Sequence, residues 1–129
     1  MPQALVIDDS TTVRMFYREV LEQAAFVVDE AINGLEGLEK AMAHRFDIMI
    51  VDVNMPKMDG YLFVEQVRRA PELQAVPIIM ISTEAHDADR VKAHAAGANL
   101  YIVKPVNSVE LAACARLMTG AMPSQRISP

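Results

Sequence analysis

The chain has 129 residues, 52% of them hydrophobic and 22% charged, with a formal net charge of −5. That length builds one domain with a core of its own. No apolar run nears the roughly 20 residues of a membrane helix, and the acidic balance excludes nucleic acid as the main ligand, since clustered Lys and Arg would have to hold its phosphates. A lone Cys114 excludes an internal disulfide. Neither a basic segment nor a long apolar stretch stands before Asp8, so the expectation is no signal peptide, no membrane insertion and a cytoplasmic protein.

In chain order, Ala4 to Ile7 is an unbroken aliphatic run of the kind that forms a strand buried on both faces. Ser10 then offers a helix cap. Val13, Phe16, Tyr17, Val20, Leu21 and Ala24 follow at helical spacing, which predicts a first helix turning all six toward the core. Phe26 to Val28 is a weaker second strand. Asn33 with Glu36 three residues on predicts the start of a second helix. Ile48 to Val51 is the third strand, and Met55 to Gly60 reads as a turn with Gly60 free to take positive φ. Pro71 and Pro77 bracket the passage from a third helix into the fourth strand, Ile78 to Ile81. The fourth helix, roughly His86 to Ala96, has Val91 as its only large aliphatic residue and stops at Gly97.

Leu100 to Val103 is a fifth strand, and Asn107 with Glu110 starts a fifth helix. This last helix has two apolar stripes. Val109, Ala113 and Leu117 read as the core stripe, while Leu111, Cys114 and Met118 either face a partner or widen a single buried face. Residues 121–129 read as a flexible tail on a domain spanning 1–120. Strand and helix alternating five times implies an α/β domain with a parallel sheet, helices on both faces and right-handed crossovers: a single doubly wound (βα)5 unit.

In such a sheet, ligands bind beyond the carboxyl ends of the strands. Asp8 and Asp9 end the first strand, Asp52 the third, Ser82 the fourth and Lys104 the fifth. Taken singly, these residues read equally well as a helix cap, a turn residue and a surface charge. Capping does not explain their recurrence at successive strand ends. Like charges about 4 Å apart repel by about 4 kcal/mol at an effective dielectric of about 20, so three clustered carboxylates call for a counter-cation. Oxygen donors of this kind suit Mg²⁺.

Together, Ile7-Asp8-Asp9-Ser10, Val51-Asp52-Val53-Asn54-Met55-Pro56 with Met58-Asp59-Gly60, Ile81-Ser82-Thr83-Glu84, and Tyr101-Ile102-Val103-Lys104-Pro105 resemble the receiver domains of two-component response regulators, and among them the stand-alone, chemotaxis-type CheY-like members. The resemblance covers residues 3 to about 118. It implies a flavodoxin-like sheet in the order 2-1-3-4-5. It also implies that Asp52 is the phosphoacceptor, that Asp8, Asp9, Asp52 and the backbone carbonyl of Asn54 hold Mg²⁺, and that Lys104, Ser82 and the backbone of Thr83 bind the phosphoryl group. Ser82 and Tyr101 would form the switch pair, with Tyr101 swinging inward once Ser82 moves. Asn54, Glu84, Met55 and Pro105 would form the pocket rim, and a cis Lys104–Pro105 bond would aim the lysine. Thr83 stands where many members carry Ala or Gly, and Val106 where an aromatic is frequent.

The implied function is a single-domain response regulator phosphorylated by a histidine kinase, not an enzyme, that assists its own phosphorylation and dephosphorylation. It would act as a monomer or weak dimer and bind a protein target such as a flagellar switch through the fourth helix, last strand and fifth helix. The alternatives are a phosphate sink or phosphorelay intermediate and, more remotely, an aspartyl-phosphate phosphatase-like enzyme. That enzyme would need a general acid two residues after the nucleophile, where this chain has Asn54.

Overall fold

A computed structural model of the chain describes residues 1–120; the tail expected over 121–129 lies outside the described residues. The elements are β1 (Gln3–Ile7), α1 (Thr11–Gln23), β2 (Val27–Ala31), α2 (Gly34–Ala43), β3 (Ile48–Asp52), α3 (Gly60–Arg69), a 3₁₀ turn over Pro71–Leu73, β4 (Ile78–Ser82), α4 (Asp87–Ala96), β5 (Leu100–Val103) and α5 (Ser108–Thr119). All strand pairs are parallel, in the order β2-β1-β3-β4-β5. Among the described residues no helix is long and apolar enough to cross a membrane.

Alternation along each strand sends side chains to two opposite cores. Leu5, Ile7, Met49, Val51, Ile78 and Met80 pack with Phe63, Val64 and Val67 of α3 and with Ala93 and Ala96 of α4. Ala4, Val6, Ile48, Ile50, Ile79 and Ile81 pack with Tyr17, Val20 and Leu21 of α1 and with Leu111 and Ala115 of α5. Local signals set the helix starts. Ser10 Oγ accepts from the Val13 N–H at 3.3 Å and Asn107 Oδ1 from the Glu110 N–H at 3.0 Å. Asn33 Oδ1 accepts from the Glu36 N–H at 2.8 Å, and Glu36 Oε1 reaches back to accept from the Ile32 N–H at 2.8 Å. Gly97 ends α4 at φ 121°.

Four expectations need correction. Phe16 is 42% exposed instead of turning into the core; its ring stands on the flank of α1 beside Tyr17. The second strand extends through Asp29 and Glu30 to Ala31, because at the sheet edge charged side chains find partners, with Lys40 on Asp29 and both Arg14 and Arg18 on Glu30. The stripes of α5 are reversed. Leu111 and Ala115 are buried, with Cys114 and Met118 packed beside them, whereas Val109 is 77% and Leu117 64% exposed. Apolar residues surround most of this helix, so periodicity alone does not choose its face. Finally, Gly60 opens α3, and it is Lys57 that takes positive φ, at 69°. Gly60 is needed for close approach: a Cβ there would strike the Asp52 carbonyl and lie 2.8 Å from Val53 Cα.

Candidate functional site

The parallel register aligns Ile7 with Val51, Asp52 with Ile81 and Ser82 with Val103, so the carboxyl ends of the four strands β1, β3, β4 and β5 form one edge. Asp8 continues β1 by one residue, its N–H donating to the Ala31 carbonyl at 3.1 Å. Asp8 is only 1% exposed. One oxygen, Oδ1, accepts from the Ser10 N–H at 2.8 Å, while Oδ2 is buried without any hydrogen-bond partner. Asp52 is 6% exposed, and Asp9 stands exposed at the mouth. Asp8, Asp9 and Asp52 each bring a carboxylate oxygen within 4.8 Å of the others. Lys104 Nζ lies 3.6 Å from Asp52 Oδ1, and the Lys104–Pro105 bond that follows it is cis.

Electrostatics express the crowding. Burial, then the charges of Asp8 and Asp9, push the Asp52 carboxyl up to about 6 against the opposing pull of Lys104. Burial likewise raises Asp8, opposed by the Ser10 hydrogen bond. A carboxylate driven toward its neutral form first by burial and then by like charges is one whose ionised form a nearby cation would stabilise. The orphaned Asp8 Oδ2 says the same geometrically, because a buried oxygen without a donor carries a desolvation cost that a cation removes. The residues therefore fit a hard divalent ion such as Mg²⁺. A second trio, Glu84, His86 and Asp89, also brings ligand atoms within 4.8 Å. Glu84 and His86 are exposed, no buried oxygen of the trio lacks a partner, and the positive end of α4 adjoins it, which disfavours a cation.

Ser82 is buried at the end of β4; its Oγ accepts from the Glu84 N–H at 3.1 Å and its carbonyl from the Lys104 N–H at 2.8 Å. Thr83 and Glu84 follow on the exposed loop. Tyr101 is already inward and buried, with its hydroxyl donating to the Glu84 carbonyl at 2.7 Å. The expected inward swing is therefore not needed to reach this position. The backbone of Glu84 ties both expected switch residues. Asn54 lies exposed two residues past Asp52, whereas Met55, expected at the rim, is buried in the core under α3. Pro105 is exposed and lines an apolar groove of about 670 Å³ with Thr12, Val13, Phe16, Tyr17, Lys104 and Val106.

Three features escaped the sequence reading. Tyr17 is buried within reach of the acids, and burial together with Asp8 and Asp52 pushes its phenol well up. Arg14 is buried behind Asp8. Its signal was a charge on the stripe shared by Tyr17 and Leu21. The groove beside Lys104 had no local signature, since it joins the flank of α1 to the turn after β5.

The response regulator receiver domain family matches residues 4–116. The transcriptional regulatory protein ResD of Bacillus subtilis is 37% identical over 107 residues, which are 83% of this chain and 43% of that protein. The chain spans about half the length, or less, of the first curated relatives it matches. Among solved structures, the chemotaxis protein CheY4 of Vibrio cholerae superposes with a TM-score of 0.87 at 36% identity, covering 92% of this chain and 98% of that one. The receiver domain of the sensor histidine kinase PA1611 of Pseudomonas aeruginosa, with a magnesium ion coordinated in its active-site cleft, superposes with a TM-score of 0.85 at 25% identity, with the same shares of 92% and 98%.

Proposed function

The chain belongs to the response regulator receiver domain family of two-component signalling, and on that premise we propose that Asp52 accepts a phosphoryl group from a histidine kinase with Mg²⁺ held beside it. An Asp52 oxygen attacks the phosphorus of the kinase phosphohistidine. The P–N bond breaks, its electron pair stays on the imidazole, and the imidazole takes a proton from solvent. Asp8, Asp9, Asp52 and the Asn54 carbonyl would hold the ion. When bound, Mg²⁺ supplies charge neutralisation for the carboxylates and the transferring group.

Lys104, 3.6 Å from Asp52 Oδ1, is placed to pair with a phosphoryl oxygen. The Ser82 hydroxyl and the Thr83 N–H, at the end of the strand paired with Asp52, would donate to the remaining oxygens. Recruiting Ser82 takes its Oγ from the Glu84 N–H and so pulls on the residue that also anchors Tyr101. Exposed Glu84 and Asn54 flank the path of water to the acyl phosphate, which the domain itself helps to cleave. The kinase approaches over the apolar groove of Phe16, Pro105 and Val106, which opens beside Lys104.

The output surface is α4, β5 and α5. Its support is the outward apolar pair Val109 and Leu117 and the sparse burial of α4. Likeness to the chemotaxis protein CheY4 favours a chemotaxis role, for which the target would be a flagellar switch in the cytoplasm, with the receiver unit over 1–120 acting as a monomer or weak dimer. A phosphate sink or relay uses the same site without that surface.

One observation carries the reading: three carboxylates and a lysine meeting at the strand ends, with one buried oxygen left unpaired. Incubation with a small acyl phosphate and Mg²⁺, followed by intact mass, should add one phosphoryl group to the wild type and none to Asp52→Asn. Label retained by the variant, or uptake indifferent to chelation of Mg²⁺, sinks the proposal.

A further inference from the structure

Arg14 is 8% exposed, the one buried cationic side chain among the described residues, and phosphoryl transfer at Asp52 does not employ it. From the first turn of α1 it spans three partners. Nη1 donates to the backbone carbonyl of Asp8 at 2.7 Å, Nη2 to Thr11 Oγ1 at 3.2 Å and Nε to Glu30 Oε1 at 2.9 Å. Glu30, on the neighbouring strand, gives its other oxygen to Arg18 Nε at 2.6 Å, and Arg18 in turn pairs with Glu22 at 3.0 Å. A buried guanidinium is expensive unless it is fully hydrogen-bonded, and its planar fork fixes whatever it grips.

What Arg14 grips is the turn carrying two of the three acids. Asp8 is thereby held at its N–H by Ala31, at Oδ1 by the Ser10 N–H and at its carbonyl by Arg14. Every polar atom of Asp8 is tied except Oδ2, which is buried without a partner. The chain direction into Asp9 is set by the same carbonyl. The placement has an electrostatic side as well. A bare cation behind the acids would compete with a divalent ion for their charge, and the Glu30 carboxylate both anchors Arg14 and offsets its charge.

Resting on the reading that these acids hold Mg²⁺, we propose that Arg14, anchored by Glu30, is the positioning residue that presents Asp8 and Asp9 to the metal and sets its affinity. Groups that orient metal ligands from behind typically change affinity by about 10–100-fold when removed. Arg14→Met should therefore weaken Mg²⁺ binding by about tenfold or more. Glu30→Gln should weaken it less, and its effect should vanish in the Arg14→Met background, because Glu30 acts through Arg14. Arg18→Gln cuts the other limb of Glu30 and should leave Mg²⁺ affinity as in the wild type.

The experiment is a Mg²⁺ titration of the full chain followed by the amide shifts of Asp8 and Asp9, with thermal melts run in parallel. A merely structural role lowers Tm and leaves the Mg²⁺ dissociation constant alone. Wild-type affinity in Arg14→Met overturns the proposal. If that variant does not fold, wild-type affinity in Glu30→Gln overturns it. A wild type that shows no saturable Mg²⁺ binding overturns the underlying reading of the acids, a result distinct from unaltered variants.

Discussion

Helices α3 and α4 have ten residues each, lie side by side on the same face of the sheet, and are held there by different forces. α3 buries Tyr61, Phe63, Val64 and Val67. α4 buries only Ala93 and Ala96, while Val91, its one large aliphatic, faces solvent. Directional contacts stand in for apolar area on α4. Arg90 lies over the Tyr101 ring at 5.4 Å and donates to the Tyr101 carbonyl at 3.3 Å, Lys92 lies over the Tyr61 ring at 4.4 Å, and His94 Nδ1 meets the Ala98 carbonyl at 3.1 Å. Cation–π contacts are worth about 0.5–1 kcal/mol at exposed sites, against about 1.5–3 kcal/mol for each large apolar side chain fully buried. A helix fastened by small, directional contacts can be released by changing one of them. α4 begins next to Glu84, where the Ser82 and Tyr101 hydrogen bonds converge.

The sharpest way to break the comparison is to empty the α3 core. Phe63→Ala removes a fully buried ring and should cost about 3–5 kcal/mol by chemical denaturation; a loss below about 1 kcal/mol would mean that α3 is no firmer than α4. Next, Tyr101→Phe removes the hydroxyl that holds the Glu84 carbonyl, costs about 1 kcal/mol, and should speed amide exchange in α4 while leaving α3 unchanged. Uniform acceleration would deny the latch.

Tyr61 joins the two helices and gives the contrast a pH dependence. Burial, followed by the influence of Tyr101 and Asp89, pushes its phenol up to about 12 from an ordinary value near 10. Because the folded value is the higher, the stability this neutral phenol contributes is complete below about pH 10 and is lost as the pH rises through about 12. The difference in tyrosinate absorbance between wild type and Tyr61→Phe should step near 12; a step near 10 refutes the burial. The smallest effect belongs to Val91→Ala, which should stay within about 0.5 kcal/mol, since that side chain packs on nothing it would leave empty.

Much of the site was legible in the letters because each acid sits at the end of an aliphatic run, and such runs in parallel sheets end at a common edge. Asp8, Asp9, Asp52, Ser82 and Lys104 needed no more than that. Met55 was misplaced because a loop residue beside the site and one folded beneath it have the same local sequence. β2 was truncated because charges usually exclude a residue from a buried strand, and here the edge position admits Asp29 and Glu30 as partners for α1 and α2. The Asp59 cap of α3, whose Oδ1 accepts from the Leu62 N–H at 2.9 Å, was hidden inside a turn motif that accounted for the same residues.

By themselves the letters determined the starts of α1, α2 and α5, the stop of α4 and the aliphatic strands β1, β3 and β4, because caps, aliphatic runs and the Gly97 stop act through hydrogen bonds and backbone sterics a few residues long. They also determined which acids share an edge, since strand direction alone places them. Only the tertiary structure decided which stripe of α5 faces the sheet, why Gly60 has no side chain, and that Arg14 reaches past α1 to hold Asp8 from behind. Those outcomes depend on volume and charge contributed from different elements of the fold: the end of β3 and the loop after it against Gly60, and Glu30 of β2 against Arg14 of α1. Such long-range pairings have no local pattern to read, because packing density and the pairing of buried charge are properties of the folded interior.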